Sequence, residues 1–196
     1  MKHKYHIFAI VFLLILTLLT SCDLFLTRNP ESPDNDAQNI QPATSPSVLF
    51  SNFNQSFIDV NPEAFSGCFN PYQDDYQFIP DANAFAQYSV VFAEWKASSE
   101  REVVLSIANS IEANTKPELI WNSSNYELIT TDSAVMVGEY LIKMKINLKD
   151  EMYSGLSRFT FMKAQDGLWY IKTWFDYKSK QDTLQSWSIL KAKYST

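Results

Sequence analysis

Residues 134–148 read AVMVGEYLIKMKINL, and residues 166–176 read DGLWYIKTWFD. In the first stretch Tyr140, Ile142, Met144, Ile146 and Leu148 alternate with Leu141, Lys143, Lys145 and Asn147. That period of two is the mark of a strand with one buried face and one mostly wet one. The second stretch opens on Asp166-Gly167, a strong hairpin signal, and continues as an aromatic-rich strand. With Glu118 to Thr130 and Gly155 to Lys163, the segments Ala134 to Leu148 and Leu168 to Asp176 are read as an antiparallel meander. Strict alternation puts Trp169, Phe175, Phe159 and Phe161 on one set of faces and Tyr170, Trp174 and Met162 on the other. Both sides of the final strands are then partly apolar, so one side packs on a helix and the other either meets a partner or a second copy or remains a thick aromatic layer of a monomer.

Upstream, the period changes. From Ser47, Leu49, Phe50, Phe53 and Phe57 recur at helical spacing behind a serine able to cap the first amides. Asn61-Pro62 restarts the chain as a cap and a first-turn proline, with Ala64, Phe65, Cys68 and Phe69 as a second, shorter apolar face. Asp75 to Pro80 and Ala86 to Phe92 are read as short β-like runs. A third helix is expected behind Ser99 and Glu102, spaced as a capping box, with the stripe Val103, Val104, Ile107, Ala108 and Ile111 ending before Pro117. The expected class is therefore α+β, three helices on a curved, mainly antiparallel sheet.

The first residues are of another kind. Lys2 and Lys4 precede an apolar run from Ile7 to Leu19, 13 residues long. A membrane-spanning helix needs roughly 20, so a cleaved export signal fits better than a permanent span. Leu19-Thr20-Ser21-Cys22 resembles the lipobox of bacterial lipoproteins, which implies cleavage before Cys22 and lipid on its thiol. Asp23 to about Ser45 is rich in Pro, Asn, Asp, Ser and Gln and reads as a disordered tether. The domains expected are a leader over 1–21, a lipidated tether over 22–46 and a folded domain over 47–196.

Removal of residues 1–21 takes away two lysines and both histidines, leaving 14 basic residues against 22 acidic ones and a formal charge of −8. Without histidine, Ser-His-Asp and Cys-His catalysis and His-dependent metal sites are excluded. The acidic balance argues against nucleic acid and against electrostatic adhesion to anionic lipid. With Cys22 lipidated, Cys68 has no disulfide partner, and stability must come from a core in a chain with 14 Phe, 10 Tyr and 5 Trp.

Two helices, a short β pair, a third helix and four long strands ending in Asp166-Gly167-Leu168-Trp169-Tyr170-Ile171, Trp174 and Asp176 resemble the nuclear transport factor 2-like (NTF2-like) superfamily, also described as SnoaL-like or cystatin-like cones. Ser186-Trp187-Ser188-Ile189-Leu190-Lys191 resembles a late segment of uncharacterised lipoproteins with such a domain. The resemblance implies a sheet curled around a helix, with a pocket at the wide end of the cone. It also implies a range of activities that the fold alone does not decide.

Members resembling ketosteroid isomerase use an Asp base and an oxyanion hole of Tyr and protonated Asp, and Asp176, Tyr140, Tyr170, Asp59 and Asp75 supply the residue types. Their spacing transfers no role, and the plainer reading ends a strand at Asp176 with the hydroxyls of Tyr140 and Tyr170 wet. Tyr140, Trp169, Tyr170, Trp174 and Asp176 are the candidate pocket lining. Arg101 and Arg158 lack the flanking acids of the epoxide-hydrolase members and are read as surface ion pairs. Cys68, between Phe65 and Phe69, is read as a small buried hydrophobe. Asp74-Asp75 with Asp81 lacks the alternation of a calcium loop and is read as a solvated turn, so neither metal nor cofactor is expected. Asn122-Ser123-Ser124 matches a glycosylation acceptor that an exported bacterial protein rarely meets.

The reading is an envelope lipoprotein on the periplasmic side of a membrane, carrying a non-catalytic binding or scaffolding cone, with a homodimer or an envelope protein as partner. The alternative is an isomerase-like or hydrolase-like enzyme, or a carrier of small hydrophobic ligands, using the cone pocket. Asp23 follows the anchor where some Gram-negative lineages place an inner-membrane retention signal, which leaves the leaflet open.

Overall fold

The hydrophobic alternation of the C-terminal half builds a five-stranded sheet in the order β1-β5-β4-β3-β2. The strands are β1 (Gln77–Ile79), β2 (Glu118–Ile129), β3 (Ser133–Ile146), β4 (Lys149–Lys163) and β5 (Trp169–Lys178). This computed structural model describes residues 40–69, 75–179 and 183–195. The leader, Cys22, most of the expected tether and Asp74 lie outside the described residues. From Ile40 onward the chain is one compact unit.

Strands β2 to β5 pair antiparallel in sequence order, as the alternation predicts, while β1 pairs parallel to β5 with Phe78 opposite Trp174. Asn147 and Leu148, at φ 50° and 67°, form the tight turn between β3 and β4. Positive φ at both turn residues is the geometry that matches strand twist in a two-residue hairpin. The third strand therefore begins at Lys149, six residues before the expected Gly155. At the other hairpin Gly167 takes φ 82°, and Asp166 accepts the Leu168 amide at 2.9 Å and the Tyr170 hydroxyl at 2.8 Å.

One irregularity in β5 overturns the expected division of faces. Phe161 pairs with Ile171 but Thr160 pairs with Thr173, so Lys172 is an extra residue in the strand. A bulge of this kind reverses the alternation beyond it. Trp169 and Ile171 before the bulge, and Trp174 and Asp176 after it, are all buried with Phe159 and Phe161. Phe175, which strict alternation groups with Trp169, Phe159 and Phe161, is instead half-buried and stacks on exposed Tyr177 with ring centroids 6.3 Å apart.

Five helices occur among the described residues, and four of them have at least eight residues, where three were expected. They are α1 (Pro46–Ile58), α2 (Pro62–Ser66), α3 (Ala82–Phe92), α4 (Ala97–Ser110) and α5 (Trp187–Tyr194). Ser45, ahead of the expected Ser47, caps α1, and Asn61 caps α2 as its proline predicts. Ala86 to Phe92 is helix rather than strand. Asp81 accepts the amides of Asn83 and Ala84 at 2.8 and 3.1 Å, and that cap sets the helix going through an alanine-rich turn before the β-branched valines. Ser99 lies inside α4, which starts at Ala97, and its hydroxyl accepts the Lys96 amide at 3.2 Å.

The concave face of the sheet holds an aromatic core. Leu49, Phe53 and Phe57 from α1 meet Phe159 and Trp174 from the sheet, and Trp187 from α5 stands edge-on to Trp174 with centroids 4.7 Å apart. None of the helices is long and apolar enough to cross a membrane among the described residues.

Candidate functional site

The interior of the cone is where inward side chains of β3, β5 and α4 converge, and α5 enters it. Tyr140 stands on β3 opposite Gly155 of β4. A side chain at 155 would bring its Cβ within 2.5 Å of both the Tyr140 hydroxyl and the Tyr177 carbonyl, so glycine is what lets the ring lie flat there. From that position Tyr140 donates to Asp176 Oδ1 at 2.7 Å. The other Asp176 oxygen accepts the amide and the hydroxyl of Ser188 at 2.6 and 2.5 Å, and the Trp187 amide donates to the Tyr140 oxygen at 2.6 Å. Ser186 donates to Asp81, and the Ser188 hydroxyl accepts the Asp81 amide at 3.0 Å.

Helix first turns leave amides without partners, and here Tyr140 and Asp176 meet two of them. The pair that could serve as base and oxyanion donor is thus saturated by the protein's own chain. Burial pushes the Asp176 carboxyl above the usual carboxylate range, with the Ser188 and Tyr140 donors pulling the other way. Burial and the neighbouring Asp176 charge likewise hold the Tyr140 hydroxyl protonated well past its ordinary value.

A second buried polar group lies one turn along α5. Lys191 donates to Glu100 Oε1 at 2.5 Å, and both side chains are fully buried. The same oxygen accepts from the Tyr76 hydroxyl at 2.5 Å and the Trp95 indole at 2.8 Å, while Oε2 has no hydrogen-bond partner. The ammonium sits 3.4 Å from the ring centroids of both Phe78 and Trp174, which replaces its water with two π faces.

Burial lowers the Lys191 ammonium to about 8 against the pull of Glu100. The folded chain sheds this proton near pH 8 and the unfolded chain only at its higher ordinary value, so stability rises as pH climbs above 8 and is lost as pH falls through it. Between pH 7 and 9 the expected gain is about 1 kcal/mol in urea unfolding, and Lys191→Met should abolish it. Above pH 9 the Cys68 thiol, pushed up to about 12 by burial, acts in the opposite sense and closes the window.

Of the candidate lining residues, Tyr140, Trp174 and Asp176 come together in the interior, and Trp169 and Tyr170 do not join them. Trp169 packs at the far end of β5, where its amide donates to the Ala43 carbonyl at 2.8 Å. Tyr170 turns back to Asp166 and borders a shallow groove with Asp75 and Lys172. The wet hydroxyl expected of Tyr140 is not found, since Tyr140 and Asp176 are buried together, while the Tyr170 hydroxyl is part-buried against exposed Asp166. Asp59 and Asp75 pair with Lys116 and Lys172 at the surface. Arg101 bridges Glu63 and Glu102, and Arg158 pairs with Glu127, both as surface ion pairs. Cys68 is a buried free thiol 3.5 Å from the Ala64 carbonyl. Asp81 is a buried helix cap rather than part of a solvated turn, and no cluster of metal-binding side chains occurs among the described residues.

Glu100, Ser186, Ser188 and Lys191 were not among the sequence candidates. The signal for α5 was available in Ser186 ahead of Ile189 and Leu190, a cap followed by apolar residues. Nothing local marks Glu100 and Lys191 as partners.

Comparison with known proteins gives the fold and stops there. No protein-family model matches the chain, and no curated protein matches it. Among solved structures, a protein of unknown function from Mycobacterium tuberculosis is similar at 15% identity with a TM-score of 0.52, over 76% of this chain and 85% of that one. A protein assigned provisionally as a scytalone dehydratase from Novosphingobium aromaticivorans is similar at 11% identity and a TM-score of 0.53, over 71% and 88%. An NTF2-like protein with a cystatin-like fold from the same organism aligns at 10% identity and a TM-score of 0.47, over 69% and 80%. The chain thus shares its α+β fold with the first two, which carry different descriptions, and activity has to be argued from the site.

Proposed function

We propose that the protein is a lipid-anchored cell-envelope lipoprotein whose cone is a non-catalytic binding or scaffolding module. The observation that carries the non-catalytic part is the occupation of Tyr140 and Asp176 by the amides of Trp187 and Ser188. A substrate carbonyl would have to displace the first turn of α5, with Trp187 leaving an aromatic cluster to let it in. The anchor rests on Leu19-Thr20-Ser21-Cys22, and the partners are a membrane through Cys22 and either an envelope protein or a second copy.

Two experiments test this. The purified protein should give no turnover of small hydrophobic ketosteroid-like or epoxide substrates; turnover abolished by Asp176→Asn or Tyr140→Phe would overturn the reading. Cells grown with labelled palmitate should label the wild-type protein and not Cys22→Ala. An unlabelled wild-type chain would refute the anchor.

A further inference from the structure

An open cleft of about 710 Å³ lies against α3, outside the filled cone. Phe78, Phe85 and Phe92 supply its apolar walls, and Asp81, Asp176 and Lys178 also line it. Volumes of this order, with mostly apolar walls and a few polar groups, are those of small-molecule sites. Phe85 is 51% exposed, an aromatic ring facing the cleft rather than the core. A smaller, polar recess of about 120 Å³ adjoins it, sharing Asp81, Asn83 and Lys178 and adding the amides of Gln87 and Gln185.

We infer that the cleft binds a small single-chain amphiphile with an anionic carboxylate head, its apolar body along Phe78, Phe85 and Phe92 and its head in the recess beside Lys178. Two observations select the charge. Lys178 has no ion pair among the described residues, although the chain carries 22 acidic residues. The two carboxylates that line the cleft are held by other partners and leave Lys178 without a counter-ion: Asp81 accepts the α3 amides and Ser186, and Asp176 accepts Tyr140 and Ser188. The helix α3 that forms one wall carries no charged residue between Ala82 and Phe92, so a hydrocarbon meets no ionic cost along it.

The inference deepens the binding-module reading by naming a ligand class, and it does not depend on how the cone is filled. Membranes holding the full-length protein would be irradiated with a diazirine-bearing decanoic acid, and in parallel with the matching decanol. Cross-linked peptides are then mapped by mass spectrometry. Saturable labelling of Phe78–Phe92 and Tyr177–Lys178, competed by unlabelled decanoate, is expected. Lys178→Gln, a change at an exposed side chain, should weaken labelling by the acid about fivefold, the upper end for a partly exposed ion pair, and leave the alcohol unchanged. Phe85→Ser should weaken both probes. Labelling that does not saturate, competition by phosphatidylglycerol vesicles as effective as by decanoate, or an equal effect of Lys178→Gln on both probes would overturn the inference. None of these outcomes touches Trp187 or its contacts, so failure here is distinguishable from failure of the filled-cone reading.

Discussion

Glu100→Ala is expected to lower the unfolding free energy by about 3–5 kcal/mol, read from urea denaturation at pH 7. The substitution removes one carboxylate and strands three donors at once: the Lys191 ammonium, the Tyr76 hydroxyl and the Trp95 indole. An ion pair fully out of water gains little net stability when intact, because desolvation offsets most of the attraction. Breaking one side is another matter, since the remaining charge is buried without a counter-ion. The double variant Glu100→Ala with Lys191→Met should therefore be more stable than Glu100→Ala alone. If the single change costs less than about 1 kcal/mol, the Lys191 ammonium is reaching water and α5 is not seated as described.

Trp187→Ala is the second large effect, with an expected loss of about 3–5 kcal/mol. Trp187 is 1% exposed and its ring lies 4.7 to 5.7 Å from those of Trp174, Phe57, Tyr140 and Phe53. Truncation removes both the buried area and the edge-to-face partners, and leaves an aromatic-walled void that cannot collapse against a rigid sheet. A void of that kind stays dry and takes an apolar guest. Added indole should accordingly raise the thermal midpoint of Trp187→Ala and leave wild type unchanged. An unchanged midpoint in the variant without indole would mean that Trp187 is not a core residue.

The meander was legible because its signals are local. Alternation runs unbroken through Tyr140 to Ile146, and Asp166-Gly167 marks its turn whatever the rest of the chain does. The parts that were misread depend on distant residues. Ala86 to Phe92 carries aromatic and β-branched side chains that suit a strand, and it is helix because Asp81, upstream of it, caps the first amides of α3. The bulge at Lys172 has no signature of its own, yet it decides that Trp174 and Asp176 face the cone and Phe175 does not. For the site, Tyr140 and Asp176 were found by residue type, while the groups that neutralise them lie on α5, a short helix whose lysine looks like a surface residue. Lys191 and Glu100 are 91 positions apart, and no periodicity relates them.

The cone is occupied by the protein's own helix α5, held there through its first-turn amides. Amides in that position have no partner within the helix and ordinarily exchange with solvent quickly. Here the Trp187 amide is donated to Tyr140 and the Ser188 amide to Asp176. Residue-resolved hydrogen exchange of the folded protein tests this directly. The Trp187 and Ser188 amides are expected to open only with the global free energy of unfolding, as core strand amides of β3 and β4 do. Exchange of these two amides at rates typical of an unpaired helix terminus, with β3 and β4 still protected, would contradict it.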